Sequence, residues 1–277
     1  RNNNMSKRSN RTNISFLLAL LLTIFISIFI VITVTRVTIM NPSYLISKME
    51  SADFYQQSIV NLNKQIQQET QSTGFPLEMF ENYIDEKSAD EIMKNYIQTA
   101  FSTGNTDIST TKFETKLSED IDEYLKSANI IINSEEKTAI STLKTNLVDY
   151  FKTYLTFPYL DLVIKLIDSY NTYYYIIAAI LLILIITAGF LLYRLYSHYR
   201  GRRRYFAYTL SSAGLICLAL PGFIYFGNFV NKISLSPKYF YDFVTSTINN
   251  YLLIYIIIGI LMIIAGNCIA YLKFKKR

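Results

Sequence analysis

The chain has few of the residues on which enzymes rely. Its 277 residues include no tryptophan, two cysteines and one histidine. Cys217 and Cys268 lie inside long apolar runs, as small residues of membrane helices do. His198 has no nucleophile or orienting group beside it, so we expect it only to lie at a membrane interface. The sequence also lacks the signatures of zinc proteases, serine hydrolases and phosphate-binding loops, which predicts a protein that is not an enzyme and holds no cofactor or metal.

Apolar residues are abundant and are concentrated in four long runs. Hydrophobic residues make up 51% of the chain and charged residues 17%, a composition typical of membrane proteins with several spans. The runs cover residues 15–40, 173–193, 205–227 and 251–272. Each reaches the roughly 20 residues that a membrane-spanning helix needs. The first run has no small-residue cleavage site, so it predicts a retained anchor and not a signal peptide.

Charge is divided sharply along the chain. Residues 41–172 contain 20 of the 21 acidic residues, 11 lysines and no arginine, a formal charge of −9 in a chain of +6. The other basic residues lie almost entirely at the ends of apolar runs, and such residues mark cytoplasmic segments. We therefore expect residues 1–14, 194–204 and 273–277 to be cytoplasmic, and residues 41–172 and the short loop 228–250 to be extracytoplasmic. The Ile-, Asn-, Lys- and Tyr-rich composition favours the plasma membrane of a Gram-positive bacterium.

Helix signals run through the whole polar segment 41–172. Apolar residues recur three and four positions apart, and no stretch alternates as a strand would. Start and stop signals predict the following helices: one of about 30 residues from Asn41 to Gly74, a short one over residues 76–85, one opened by a capping box at Ser88–Glu91 and closed by Gly104, one around Phe113–Ala128, and one opened by Asn133–Glu136. The predicted fold is all-α: a four-pass membrane protein with a large extracytoplasmic helical bundle between its first two spans.

Three prolines predict helix boundaries. Pro158 ends the last helix of the bundle, and residues 159–170 form an amphipathic helix that either lies on the membrane or continues into the second span. Pro221, followed by glycine, predicts a break near the end of the third span. Pro237, preceded by serine, predicts the start of a small amphipathic helix.

Small residues are concentrated in the third and fourth spans. The first two spans are smooth aliphatic surfaces, so we expect them to face lipid. Small residues allow helix backbones to approach closely in a bilayer, where packing decides association. The candidate interface, either between these two spans or with a partner subunit, consists of Ser211, Gly214, Gly222, Gly259, Gly266, Asn267 and Ala270.

A cluster of arginines follows the second span. Arg200, Arg202, Arg203 and Arg204 lie in the predicted cytoplasmic loop, directly beside the bilayer. Anionic lipid headgroups attract such residues by roughly 1 kcal/mol each. We therefore expect these arginines to contact anionic lipids and not nucleic acid.

Acidic residues form two groups in the polar segment. The first contains Glu119, Asp120, Asp122 and Glu123, and the second contains Asp85, Glu86, Asp90 and Glu91. Carboxylates of this kind can hold calcium, but the loop spacing and turn glycine of a calcium site are missing. The first group also lies opposite an apolar seam, which favours a solvated helix face.

These observations predict a non-enzymatic membrane protein whose outer helical domain binds or senses a ligand or partner, as an accessory subunit of a membrane assembly. The layout resembles that of bacterial transmembrane sensors, although those carry a large inner output domain and the inner segments predicted here are short. One alternative is a channel or transporter subunit with the third and fourth spans lining the path. A membrane enzyme that uses outer carboxylates is the third possibility.

Overall fold

The computed structural model describes residues 2–196 and 199–271 of the chain; His198 and the predicted tail 273–277 lie outside them. Every regular element within the described residues is helical, which confirms the predicted all-α class there. The helices are α1 (Asn2–Val37), α2 (Pro42–Ser51), α3 (Phe54–Thr70), α4 (Glu86–Thr103), α5 (Thr111–Ser127), α6 (Ser134–Leu155), α7 (Leu160–Leu195), α8 (Tyr199–Phe226) and α9 (Lys238–Tyr271), with short 3₁₀ helices at Leu77–Phe80 and Val230–Lys232.

Within the described residues, four helices are long and apolar enough to cross a membrane, as predicted: α1, α7, α8 and α9. The protein is therefore membrane-embedded. With 36 residues, α7 is about 54 Å long and exceeds the roughly 30 Å of a hydrocarbon core. The extra length is the amphipathic segment after Pro158, which continues into the second span without interruption.

The chain divides into two compact units. The apolar unit comprises Arg1–Leu45, Ile167–Leu235 and Val244–Arg277, and the polar unit comprises Ile46–Leu166 and Ser236–Phe243. In the polar unit, α3 packs against α4, α6 and the first 3₁₀ helix, while α5 packs against α6. The largest fully buried side chains of this unit are Met49, Phe54, Leu62, Ile66, Phe80, Met93, Ile97, Leu117, Ile121, Leu147, Phe151 and Leu155. The predicted seams therefore do form a common core.

Some helix ends follow the predicted signals. Asn133 accepts a hydrogen bond from the Glu136 N–H (2.8 Å), and the Glu136 carboxylate accepts one from the Asn133 N–H (2.8 Å), which confirms the capping box of α6. Gly104 closes α4 in the left-handed region at φ 75°, as a C-terminal glycine should. The predicted capping box at Ser88 is wrong. Asp85 caps α4 instead, because its carboxylate accepts the Ser88 N–H at 3.0 Å.

Other predicted boundaries are also wrong. The long helix from Asn41 is interrupted at Asp53, which adopts φ 51°, so that α2 and α3 are separate. Residues 76–85 form only the four-residue 3₁₀ helix and not a longer one. Pro221 does not break α8, since a membrane helix can satisfy the freed carbonyl locally. Pro237 precedes α9 itself, which continues to Tyr271 in place of a separate small helix.

The first span is not a smooth lipid-facing anchor. It packs along α8. Small and polar residues that recur every four positions along it are buried: Ser15, Ala19, Thr23 and Ser27. The Thr23 hydroxyl donates to the carbonyl of Ala19 in its own helix (2.9 Å), so this buried polar group has a hydrogen-bond partner within the apolar unit. This helix contact could have been predicted from the sequence, because small residues spaced four apart lie on one face of a helix and allow another helix to approach closely.

The second span is also partly buried. Ala188 and Leu192 of α7 pack with Ala19 and Leu22 of α1 and Tyr205 of α8 in one apolar cluster. The expectation that the first two spans face lipid is therefore wrong for the helix face that carries Ala188 and Leu192. Replacing Ala188 by leucine would overfill the cluster.

At the other end of the apolar unit, tyrosine hydroxyls from two helices bind α1. Tyr255 donates to the carbonyl of Val31 (3.1 Å), and Tyr170 donates to that of Ile32. A phenol packed among apolar helices needs a hydrogen-bond partner, and helix carbonyls have a second lone pair to offer. These bonds join α1 to α7 and α9.

Candidate functional site

In the polar unit, a groove lies between α4 and the segment 105–116, which returns beside it. Two adjoining cavities of 330 and 370 Å³ form the groove. Five residues line both cavities: Ile92, Asn95, Lys112, Phe113 and Phe151. Together the cavities follow α4 from Ser88 to Thr99, a length of about 16 Å along the helix axis.

Aromatic rings form the floor of the groove. Phe113 of α5 stacks on Phe151 of α6, with centroids 4.6 Å apart and planes inclined by 20°. Tyr83 meets Phe113 edge to face at 6.0 Å. Phe151 is only 1% exposed, because the core holds it from below. The floor is therefore packed and aromatic, as in many ligand-binding clefts.

One end of the groove is held by a buried asparagine. The Asn63 amide of α3 donates to the Ile84 carbonyl and accepts the Ile84 N–H, both at 3.0 Å. This pair fixes the segment that carries Tyr83 and Asp85. Because both backbone groups of Ile84 are satisfied, the segment keeps its position without belonging to a helix.

Tyr83 is the most strongly perturbed group of the groove. Its hydroxyl donates to the Asp120 carboxylate at 2.8 Å. Lys116 donates to the Tyr83 carbonyl (3.0 Å), and its ammonium lies 4.3 Å from the Tyr83 ring centroid. Burial, together with the bond to Asp120, raises the pKa of the Tyr83 phenol above its ordinary value.

Charges of opposite sign border the groove. Asp85 and Glu91 line the α4 side, and Lys112 and Lys116 line the α5 side. Its lining contains no histidine or cysteine. A ligand with apolar side chains and charges of both signs, such as a peptide segment, matches these walls.

The acidic residues that the sequence singled out have separate roles. Partners within the polar unit are as follows: Asp85 with the Ser88 N–H, Asp90 with Lys94 (3.0 Å), Asp120 with Tyr83, and Asp122 with Lys144 (3.8 Å). Within residues 2–196 and 199–271, no three carboxylate, histidine or cysteine side chains converge to hold a metal. The acids are dispersed over helix faces.

Glycines bring α8 and α9 together. A Cβ atom built on Gly214 would lie 2.7 Å from the carbonyl oxygen of Gly259, and the converse distance is also 2.7 Å. One built on Gly266 would overlap the Ser211 hydroxyl. These four predicted interface residues therefore lie where the two backbones meet.

The other three predicted interface residues lie outside this close backbone contact, although the Ala270 carbonyl accepts a hydrogen bond from Arg203 of α8 (3.2 Å). A Cβ built on Gly222 would meet no atom within 4 Å. Asn267 and Ala270 are exposed on α9. Asn267 makes no interhelical hydrogen bond within the part of the chain that the structure describes.

The arginine cluster is partly used inside the protein. Arg203 donates to the carbonyl of Ile269 at the C-terminal end of α9 (2.6 Å), and Arg202 lies 3.7 Å above the Tyr193 ring. Arg204 is exposed and donates to the Tyr208 hydroxyl at 2.8 Å. The side chain of Arg200 lies outside the described residues. Arg203 thus caps a helix end, a role that the sequence pattern did not indicate.

Sequence reasoning missed the groove and one further surface. Phe113 and Phe151 were identified only as seam residues, because periodicity does not show which seams leave a gap between them. The connection between α5 and α6 contains three consecutive isoleucines, of which Ile131 is 95% exposed. An apolar run in a connection was the available signal.

The chain matches no protein-family model, and it matches neither a curated protein nor a solved structure.

Proposed function

We propose that the protein is a non-enzymatic, plasma-membrane binding subunit that recognises a partner protein through the groove of its polar unit. The apolar helices anchor it with residues 1–14, 194–204 and 273–277 in the cytoplasm and the polar unit outside. The groove is the observation that supports the proposal. It is an open cleft with aromatic rings at its base and charged residues at its borders, and ligand-binding sites commonly have this combination. Exposed arginines such as Arg204 meet anionic lipids on the inner side.

The alternative of a channel or transporter subunit has less support. A path between α8 and α9 would need space where Gly214 and Gly259 are in contact. No Asp, Glu, Lys or Arg lies within the predicted spans from residue 205 to 227 or from 251 to 272, as an ion pathway would favour. Flux measured in liposomes would decide in favour of this alternative.

Asn95→Trp tests the groove. Asn95 is exposed and lines both cavities, so an indole there fills the groove without entering the core. Gln98→Trp is the matched control, since it is exposed on the same helix and lines neither cavity. Full-length protein is isolated in mild detergent, and co-purifying proteins are quantified by mass spectrometry. We expect Asn95→Trp to deplete a specific partner about tenfold or more, while Gln98→Trp retains it; identical partner sets would contradict the proposal.

The orientation is tested independently. In a chain freed of Cys217 and Cys268, a cysteine replaces Asn105 in one variant and Gly201 in another. A membrane-impermeant maleimide added to intact cells should label the first and not the second. The reverse pattern would place the groove in the cytoplasm.

A further inference from the structure

The connection between α5 and α6 ends in an apolar tip formed by Ile130, Ile131 and Ile132. Its geometry is supplied by the asparagines that flank it. Asn129 adopts φ 50°, and its N–H donates to the Lys126 carbonyl (3.2 Å). The Ile130 N–H donates to the Leu125 carbonyl (3.0 Å), which completes a Schellman motif. Asn133 then caps α6.

Two of the three isoleucines have a structural role. Ile130 occupies the position of a Schellman motif whose side chain packs on the last turn of the helix. All three isoleucines line one concave surface with Leu125. Ile132 is half-buried. Ile131 is 95% exposed, although a polar residue would serve the connection equally well. The fold therefore does not explain an isoleucine at position 131.

The tip lies away from the place where the chain enters and leaves the polar unit. Near that place, Phe54 at the start of α3 contacts three aromatic residues: Phe157, which follows α6, and Tyr239 and Phe243 at the start of α9. The tip is at the opposite end of α6 from Leu155, about 33 Å along 22 residues. A partner can reach it without meeting these segments.

The charged residues near the tip restrict the kind of partner that can bind it. Four exposed carboxylates lie on the turns of α5 and α6 next to the tip, and three lysines accompany them, of which Lys144 pairs with Asp122 (3.8 Å), so that the net charge is −1: Asp122, Glu123, Glu135 and Glu136, with Lys126, Lys137 and Lys144. An anionic bilayer would be repelled by this excess of negative charge. A second copy meeting the tip head-on would bring the same carboxylates together, which like-charge repulsion disfavours. A partner with basic groups around an apolar pocket satisfies both features.

We propose that Ile131 is the anchor of a protein contact, and that its partner presents an apolar pocket ringed by lysine or arginine side chains. The inference rests on the proposed function, since it requires that the polar unit binds protein. It concerns a different surface from the groove. An apolar anchor in a pocket with a charged rim is the usual arrangement at the centre of a protein interface.

Photo-crosslinking in native membranes tests the contact. The photoreactive residue p-benzoylphenylalanine replaces Ile131 in the full-length chain, or Thr142 as an exposed control on α6. We expect an adduct with a single protein at position 131 and none at 142. No adduct, an adduct with lipid, or an adduct with a second copy of the chain would each overturn the proposal.

The captured protein is then purified and titrated against the full-length chain in nanodiscs. Ile131→Asn should raise Kd about ten- to a hundredfold, as expected for losing one buried isoleucine, and Ile131→Val should stay close to the parent. Raising NaCl from about 50 to 500 mM should slow association, because the rims attract each other. An unchanged Kd for Ile131→Asn overturns the proposal.

The experiments distinguish a failure of the proposed function from a failure of the inference about Ile131. If Asn95→Trp depletes a partner while position 131 forms no adduct, the proposed function stands and the tip inference is wrong. If neither surface responds, both are wrong.

Discussion

The contact between α8 and α9 can be tested by adding a single carbon atom. Gly214→Ala places a Cβ 2.7 Å from the Gly259 carbonyl oxygen and 2.9 Å from the Met262 Cβ, whereas ordinary contacts lie at 3.4–4 Å. The obstructing oxygen belongs to the backbone, so no side-chain rotation can relieve the overlap. Gly222→Ala in the same helix is the matched control, because its Cβ meets no atom within 4 Å.

The expected magnitude follows from two opposing effects. Overfilling a packed contact costs about 1–3 kcal/mol. Replacing glycine by alanine inside a helix stabilises it by roughly 0.5–1 kcal/mol. The second effect is common to both variants, so Gly214→Ala should be less stable than Gly222→Ala by about 1–3 kcal/mol. Gly222→Ala itself should equal or exceed the parent.

Stability is measured as the free energy of unfolding of the full-length protein in mixed micelles, with near-UV circular dichroism following the tyrosines as denaturing detergent is added. Gly259→Ala is a second test, since its Cβ would lie 2.7 Å from the Gly214 carbonyl oxygen. The two substitutions should not be additive, because both separate the same pair of backbones. If both variants were as stable as Gly222→Ala, the helices would not be in contact and the reasoning would be refuted.

Two further predictions concern the polar unit. Asn133→Ala removes the side-chain half of the α6 capping box and should cost about 1 kcal/mol in urea unfolding, while Asn133→Asp should retain most of the stability. Burial raises the pKa of Tyr83 and of Tyr55, so above pH 10 the unfolded chain loses phenolic protons that the folded chain keeps. Stability should therefore fall as the pH rises through 10, and Tyr83→Phe should make the fall shallower; a pH-independent stability would show that the two phenols titrate normally.

The parts of the fold that the sequence predicted correctly depend on neighbouring residues. The capping box at Asn133 and the helix end at Gly104 each involve residues within one turn, so their spacing is visible in the sequence. The four long apolar helices are visible for a similar reason, because a bilayer imposes a minimum length. Contact between Gly214 and Gly259 was expected from residue size alone, whereas a Cβ built on Gly222, chosen on the same grounds, would meet no atom within 4 Å.

What the sequence could not show depends on residues distant along the chain. The break at Asp53 separates two helices whose apolar seam continues from Met49 to Tyr55, so periodicity gave no warning of it. The burial of Ala188 likewise depends on α1 and α8, which only the folded chain places beside it.

The groove and the tip illustrate a more general limit. Periodic patterns identify residues that a helix must bury, and they assign Phe113 and Phe151 to the core correctly. They do not reveal that α4 and the segment 105–116 leave a gap above those rings. At Ile131 the relation is reversed, since an apolar residue lies where no helix requires one. A surface chosen for binding is therefore best sought where an apolar residue is explained neither by helix period nor by the geometry of a cap. Among the exposed apolar residues of the polar unit, Ile131 has the largest exposed fraction, 95%, whereas the position of Ile130 in the Schellman motif already accounts for that residue.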